Sequence, residues 1–163
     1  MFSYRVKQFF SYLNAKITND DLEYIYSKLN NNEIGLFNKL SLHEQKHSIN
    51  VAKDVEKICL YKKICSNDLI KIALLHDIGK INGNLNIVDK SILVIFNCLS
   101  NGRIKKFKFI RKINLYYNHG KIGADILKKY GYNKRFLYLI ENHHNIKEDD
   151  YELNIIRFCD NKN

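Results

Sequence analysis

The sequence predicts an all-α fold in a single domain. Apolar residues recur at helical spacings of three and four in one segment after another, and no segment keeps the alternation of apolar and polar residues that is typical of strands. A length of 163 residues suits one domain with its own hydrophobic core. These observations argue against a β-sheet protein and give no reason to expect a second domain.

The predicted helices follow one another along most of the chain. Their bounds are 3–14, 19–30, 32–39, 42–62, 67–78, 87–99, 103–113, 119–130, 133–144 and 149–160. The first 40 residues contain neither His nor Cys. We therefore expect residues 1–40 to form an accessory helical segment packed on a domain that consists of residues 41–163.

Local signals mark several of the helix ends. Ser41 and Glu44 are spaced as a capping box, the pair 66–67 can cap the helix that follows it, and Asp149 suits the start of the last helix. Gly131 fits a C-terminal cap after the helix 119–130. These residues support the predicted bounds independently of the apolar spacing.

The composition is that of a globular protein. Apolar residues make up 45% of the chain and charged residues 27%. The longest apolar runs are too short to cross a bilayer, and Arg5 and Lys7 interrupt any signal-peptide core, so we expect a cytoplasmic protein with no membrane partner. The four cysteines form no CxxC pair, which favours reduced thiols over a disulfide framework.

A basic cluster stands out within the net charge of +10. Apolar residues recur every three positions within it, which predicts an amphipathic helix over 103–113 with a basic outer face. That face either is simply solvated or contacts an anionic substrate or nucleic acid. The cations are Arg103, Lys105, Lys106, Lys108, Arg111 and Lys112.

Four histidines and two aspartates lie on the apolar faces of predicted helices. His47 shares its face with Val51 and Val55, and the pair His76-Asp77 ends the apolar stripe of the helix 67–78. A single inward histidine is more often a hydrogen-bonded core residue. Six such groups are more simply explained by one shared metal site, because each would otherwise need its own buried network. The other three are His119, His143 and Asp160.

The order of these residues resembles a known family. His47, His76-Asp77 and Asp160 match the H…HD…D signature of the HD superfamily of metal-dependent phosphohydrolases, and residues 76–80 look like its HDIG subgroup. Segments 118–124 and 140–144 are similar to two further motifs of members that bind more than one metal. The resemblance covers residues 40–160 and implies an HD-type helical bundle with a binuclear site.

The resemblance also implies a ligand set. Asp77 would bridge two divalent transition-metal ions, which we expect to be iron or manganese, with zinc, cobalt or nickel as alternatives. His47, His76 and Asp160 would complete one centre, and His119 and His143 would serve the other. Some relatives also use the residue that corresponds to His144. Where some relatives place a glutamate four residues before the first motif histidine, this chain has His43, which leaves a further ligand open.

The implied reaction is hydrolysis of a nucleotide-like phosphoester or phosphoanhydride by a hydroxide that bridges the metals. The resemblance makes Asp77 and Lys80 the expected catalytic residues, with Lys80 in contact with the phosphoryl or leaving group. Spacing alone instead favours a solvated lysine just past a helix that ends at Gly79. Lys121 is a further candidate for substrate contact, followed by Arg157. Residues 145–148 lack the GYP element of relatives that open cyclic di-GMP, so that substrate is not expected.

A second hypothesis is a non-catalytic HD-fold module. Such a protein would recognise a nucleotide or RNA through the basic segment 103–112 without turnover. Every ligand position of the family's motifs is filled, whereas a degenerate module would be expected to have lost some of them. The sequence therefore favours an enzyme acting on a small phosphorylated substrate.

Overall fold

The described part of the chain is built from helices joined by short turns. A computed structural model describes residues 16–64, 67–81, 83, 100, 103–107 and 109–163. Within these ranges there is no strand, so the all-α prediction is confirmed. The predicted helices 3–14 and 87–99 lie outside the described residues. The α-helices are α1 (Asn19–Lys28), α2 (Asn31–Phe37), α3 (Leu42–Lys62), α4 (Asn67–Leu75), α5 (Arg111–Lys128), α6 (Lys134–Asn142) and α7 (Tyr151–Lys162), with 3₁₀ helices at Ile78–Lys80 and Arg103–Phe107.

Helix α4 forms the centre of the domain. A helix that is apolar on nearly all sides belongs in a protein interior, and α1, α3 and α6 all pack against this one. Its C-terminal end, together with the residues that follow, therefore lies inside the domain. The buried residues of α4 are Leu69, Ile70, Ile72, Ala73, Leu74 and Leu75.

The first two helices pack on the same core. Ile25 of α1 and Phe37 of α2 belong to the main cluster of buried apolar residues. A buried carboxylate also ties α1 to α3, because Asp21 lies 2.6 Å from the ammonium group of Lys46 and 2.8 Å from that of Lys53. The role predicted for residues 1–40 as an accessory segment stays a prediction, since residues 1–15 are not described.

Two of the predicted end signals are confirmed and one is corrected, whereas residue 66 of the predicted cap 66–67 lies outside the described residues. The predicted helix start at residue 119 is wrong, because α5 begins at Arg111. Ser41 and Glu44 form the predicted capping box, and Gly131 takes a left-handed conformation with φ of +80° after α5. Asp149 is not the cap of the last helix. Asp150 caps it instead, because its carboxylate accepts hydrogen bonds from two amides of the first turn, while the Asp149 carboxylate accepts one from the Asn154 side chain.

The predicted amphipathic helix over 103–113 is wrong. The chain forms a 3₁₀ helix, turns, and begins α5 at Arg111. Ile104 is buried, whereas Phe107 and Ile110 are exposed, so the apolar residues do not form one face. A strict spacing of three drifts by about 60° per step around an α-helix but stays on one side of a 3₁₀ helix. Lys108 and the side chain of Lys105 lie outside the description.

Two expectations from the composition can be compared with the described residues. Cys59 and Cys159 are buried free thiols, as expected, whereas Cys65 and Cys98 are not described. Among the helices that are described, none is both long enough and apolar enough to cross a membrane.

The 3₁₀ turn after α4 lies directly against the backbone of α5. A Cβ atom at Gly79 would overlap the carbonyl group of His119 and lie 2.8 Å from the amide nitrogen of Gly123. Helix α5 also lies close to the backbone of α6, because a Cβ atom at Gly120 would lie 2.6 Å from the carbonyl oxygen of Glu141. Glycine is therefore required at both contacts by the close approach of two backbones.

We expect Gly79→Ala to destabilise the metal-free protein by about 1–3 kcal/mol, because the added methyl group fits only if the turn moves away from α5. Urea denaturation measures this change. Gly35→Ala is the matched control, since a Cβ atom there meets nothing within 4 Å inside α2. The control should raise the free energy of unfolding by up to about 1 kcal/mol. Similar effects of the two substitutions would contradict the close approach.

Candidate metal centre

The structure brings all seven predicted metal ligands together beyond the end of α4. Their ligand atoms form two groups, and within each group all these atoms lie within 4.8 Å of one another. The residues come from α3, α5, α7 and the turns that follow α4 and α6. Group 1 consists of His47, His76 and Asp160, and group 2 of Asp77, His119, His143 and His144.

Asp77 is the ligand of group 2 that also faces group 1. Its Oδ2 atom is 3.6 Å from Nε2 of His76, and its Oδ1 atom is 3.4 Å from Nε2 of His119. Each carboxylate oxygen therefore faces a different group. A carboxylate in this position could bind one ion with each oxygen.

The three buried histidines are oriented by the same device. In each, Nδ1 lies within hydrogen-bond distance of the backbone carbonyl three residues earlier. Since a carbonyl oxygen only accepts, Nδ1 must carry the proton, and the lone pair of the neutral ring is on Nε2. The distances are 2.8 Å for His76 to Ala73, 3.1 Å for His119 to Tyr116 and 2.6 Å for His143 to Ile140.

The Nε2 atoms of the same three histidines are the strongest sign of a missing ligand. They are buried and have no hydrogen-bond partner among the residues the structure describes. Each unsatisfied buried group of this kind costs about 1–3 kcal/mol. A divalent ion in each group would satisfy all of them, and a donor set of imidazole nitrogens and carboxylate oxygens suits first-row transition metals. The residues therefore fit a metal site.

The charges within group 1 balance one another. Burial alone would lower the pKa of His76, but the negative charges of Asp77 and Asp160 outweigh it and raise this pKa to about 9. Burial would raise the pKa of Asp77, yet the positive charges of Lys80 and His76 hold it well below its usual range. His47 Nε2 also lies 2.9 Å from Oδ1 of Asp160. In the metal-free protein the carboxylates are thus ionised and His76 carries a proton that a metal would replace.

The buried imidazoles of group 2 are neutral. Burial, followed by the charge of Lys80, lowers the pKa of His119 to about 3. Burial and the neighbouring ring of His144 hold the pKa of His143 well below its usual value. Neutral imidazole is the form that binds metals. These two side chains would therefore lose no proton when an ion binds.

Lys80 stands directly beside Asp77. Its side chain is 14% exposed, and its ammonium nitrogen forms an ion pair with Oδ1 of Asp77 at a distance of 2.5 Å. The charge of Asp77 raises the pKa of Lys80 against the opposing effect of burial. Lys80 is therefore a fixed cation at the edge of both groups.

Three other candidates from the sequence lie elsewhere. Lys121 is exposed and lies about 200° around α5 from His119, so the structure does not bring it to the site. The guanidinium group of Arg157 is bound by backbone carbonyls of residues 142–148 and is not directed at the two groups. His43 is half-buried and belongs to neither group.

The site opens to solvent on one side. His76, Asp77 and His143 are fully buried at its base, whereas the side chain of His144 is 53% exposed. Asp160 of group 1 also approaches the exposed part of the site, since one of its oxygens lies 3.6 Å from Nδ1 of His144. A substrate could therefore reach the metal ligands past His144.

Sequence reasoning missed the glycines that position the ligands. Gly79, Gly120 and Gly123 allow the backbones of three segments to meet at the site. A signal for the last two was available, because glycine within a predicted helix is unfavourable and indicates close packing. The carbonyl partners of the histidines left no such signal, since every residue has a carbonyl group.

We expect the stability of the metal-free protein to fall as the pH rises from about 6.5 to about 9. The folded state raises the pKa of His76 from 6.5 to about 9, so its bound proton contributes stability that is complete below pH 6.5 and is lost as the pH approaches 9. Urea denaturation at the two ends of this range measures the change. His76→Gln should flatten the dependence, and an unchanged slope in that variant would contradict the assignment.

Comparison with known proteins agrees with the geometry. A family model described as HD domain matches residues 45–162, which is well over half of the chain. No curated protein and no solved structure matches the chain. The matched region includes all seven residues of groups 1 and 2. The chain therefore belongs to the HD-domain family, whose members are in general metal-dependent phosphohydrolases.

Proposed function

We propose that the protein hydrolyses a nucleotide-like phosphoester or phosphoanhydride with two divalent metal ions. Group 1 would hold one ion and group 2 the other, with Asp77 as a ligand to both. The observation that carries this proposal is the position of Asp77, whose two oxygens face histidines of different groups. We expect iron or manganese, with zinc, cobalt or nickel as alternatives.

A pair of divalent ions lowers the pKa of bound water and stabilises charge on the attacking and leaving oxygens of a phosphoryl transfer. Such a site needs no nucleophilic side chain. The protein's own contribution is to hold the ligands in place and to provide a water-accessible opening. The carbonyl-bound histidines support the first role, and the exposed ring of His144 supports the second.

Lys80 is the residue that we propose for contact with the transferred phosphoryl group. Its ammonium group pairs with the Asp77 oxygen that faces group 2. Binding of a divalent ion at this oxygen would repel the ammonium group and release it from the pair. The freed cation would then lie beside the metal site, where negative charge develops in the transition state or on the leaving group.

The substrate class rests on the resemblance and on the chemistry of the site. Residues 76–80 have the HDIG-like sequence, and residues 145–148 lack the GYP element. We therefore propose a nucleotide other than cyclic di-GMP. A purely binding role for the basic segment receives no support from the described residues, because Arg103 and Arg111 belong to two separate helices rather than to one basic face.

Asp77→Asn tests the two-ion proposal. We expect the wild-type protein to bind two equivalents of Mn²⁺ and the variant at most one, because the amide carries no charge and is a poor bridging ligand. Metal content is measured by elemental analysis, and hydrolysis is screened on mononucleotides, dinucleoside polyphosphates and cyclic nucleotides. Asp125→Asn, at an exposed position on α5, is the control. A variant at Asp77 with full metal content and full activity would refute the proposal.

Lys80→Met tests the phosphate contact separately from metal binding. We expect kcat to fall by about 10²–10³, the usual effect of removing one group that stabilises transition-state charge, while two metal ions remain bound. Lys121→Met is the matched control, since that lysine also follows a ligand histidine but points away from the site. Equal losses in the two variants, or a loss of metal from Lys80→Met, would contradict the assigned role.

A further inference from the structure

One arginine is enclosed by the turn that carries two group 2 ligands. Arg157 of α7 donates hydrogen bonds to four backbone carbonyl groups between the end of α6 and the start of α7. Its remaining bond goes to the side chain of Asn154, at 3.1 Å. The carbonyl distances are 3.2 Å to Asn142, 3.3 Å to His143, 2.5 Å to Asn145 and 2.8 Å to Glu148.

The arrangement uses every hydrogen-bond donor of the side chain. A guanidinium group has five N–H donors, and the five bonds engage Nε once and each terminal nitrogen twice. The cation also sits at the C-terminus of α6, where carbonyl groups lack helical partners and a positive charge is favourable. Arg157 therefore fixes the path of the backbone after Asn142.

The contact with His143 matters most for the site. Its carbonyl group belongs to the peptide that joins His143 to His144. The bond from Nε of Arg157 therefore fixes the orientation of the peptide plane between these two residues. The centroids of these rings are 4.1 Å apart. On the same helix, three residues later, stands Asp160 of group 1.

We propose that Arg157 is a positioning residue for the metal of group 2, which orients His143 and His144 without touching the ion. This inference rests on the proposed two-metal function. Arginine is required because its planar fork reaches several acceptors at once, whereas lysine offers three donors from a single nitrogen. A lysine keeps the charge but cannot span carbonyls that are distributed over residues 142–148.

The test is the number and affinity of bound Mn²⁺ ions in Arg157→Lys. We expect the ion of group 1 to bind as in the wild type and the ion of group 2 to bind about 10–100-fold more weakly, the usual effect of losing a group that orients a ligand. Isothermal titration with Mn²⁺ measures both affinities, and circular dichroism checks the metal-free fold. Arg135→Lys is the matched control, because Arg135 also joins α6 to the start of α7 but donates its hydrogen bonds to the side chains of Asp150 and Glu152 rather than to backbone carbonyls.

Each outcome decides the inference. Selective weakening of one of the two ions in Arg157→Lys, with Arg135→Lys unchanged, supports it. Two ions bound with wild-type affinity refute it, even if the variant melts at a lower temperature. Loss of both ions or failure to fold also refutes it, because Arg157 would then support the whole domain rather than one group. If the wild type binds fewer than two ions, the proposed two-metal function fails, and the inference fails with it.

Discussion

The burial of a charged pair at the end of an apolar helix is the constraint on which the structure depends. Helix α4 is buried on nearly all sides, so His76 and Asp77 follow it into the interior. Unpaired charge is costly there. The surrounding elements reduce this cost, because each directs at least one imidazole or carboxylate toward the pair. These elements are α3, α5, α7 and the turn after α6. The helices are thus arranged around a buried polar site as well as around an apolar core.

The two groups differ in what they gain from a cation. Group 1 without metal is balanced in charge, because His47 contacts Asp160 and the proton on His76 offsets nearby carboxylates, although His76 Nε2 has no hydrogen-bond partner among the described residues. Group 2 contains neutral, buried rings whose Nε2 atoms lack partners among the described residues. An ion in group 1 would displace the His76 proton and break the contact between His47 and Asp160, whereas an ion in group 2 would bind unused lone pairs and displace only Lys80 from Asp77. The two proposed ions would therefore bind with unequal affinities.

The sequence was sufficient for the residues whose positions depend on helical spacing. His47 and Asp160 lie on the apolar faces of long regular helices, so their direction could be predicted from the spacing of the apolar residues around them. His143 and His144 were less accessible to this reasoning, because α6 ends at Asn142 and both follow it in a turn. The prediction of one amphipathic helix over 103–113 was wrong for a related reason, because its spacing of three was interpreted as an α-helix. The carbonyls that bind Arg157 left no trace in the sequence, because backbone groups carry no residue identity.

The contact at Gly79 sets the distance between Asp77 and His119 by main-chain atoms. Because the 3₁₀ turn touches the backbone of α5 directly, no side chain acts as a spacer between these two ligands. Exchange of one apolar core residue for another of similar volume would therefore alter packing density without altering this separation. Apolar core residues of such a protein can therefore be exchanged while the ligand geometry is kept. The glycines at the contact between the 3₁₀ turn and α5 cannot be exchanged in this way.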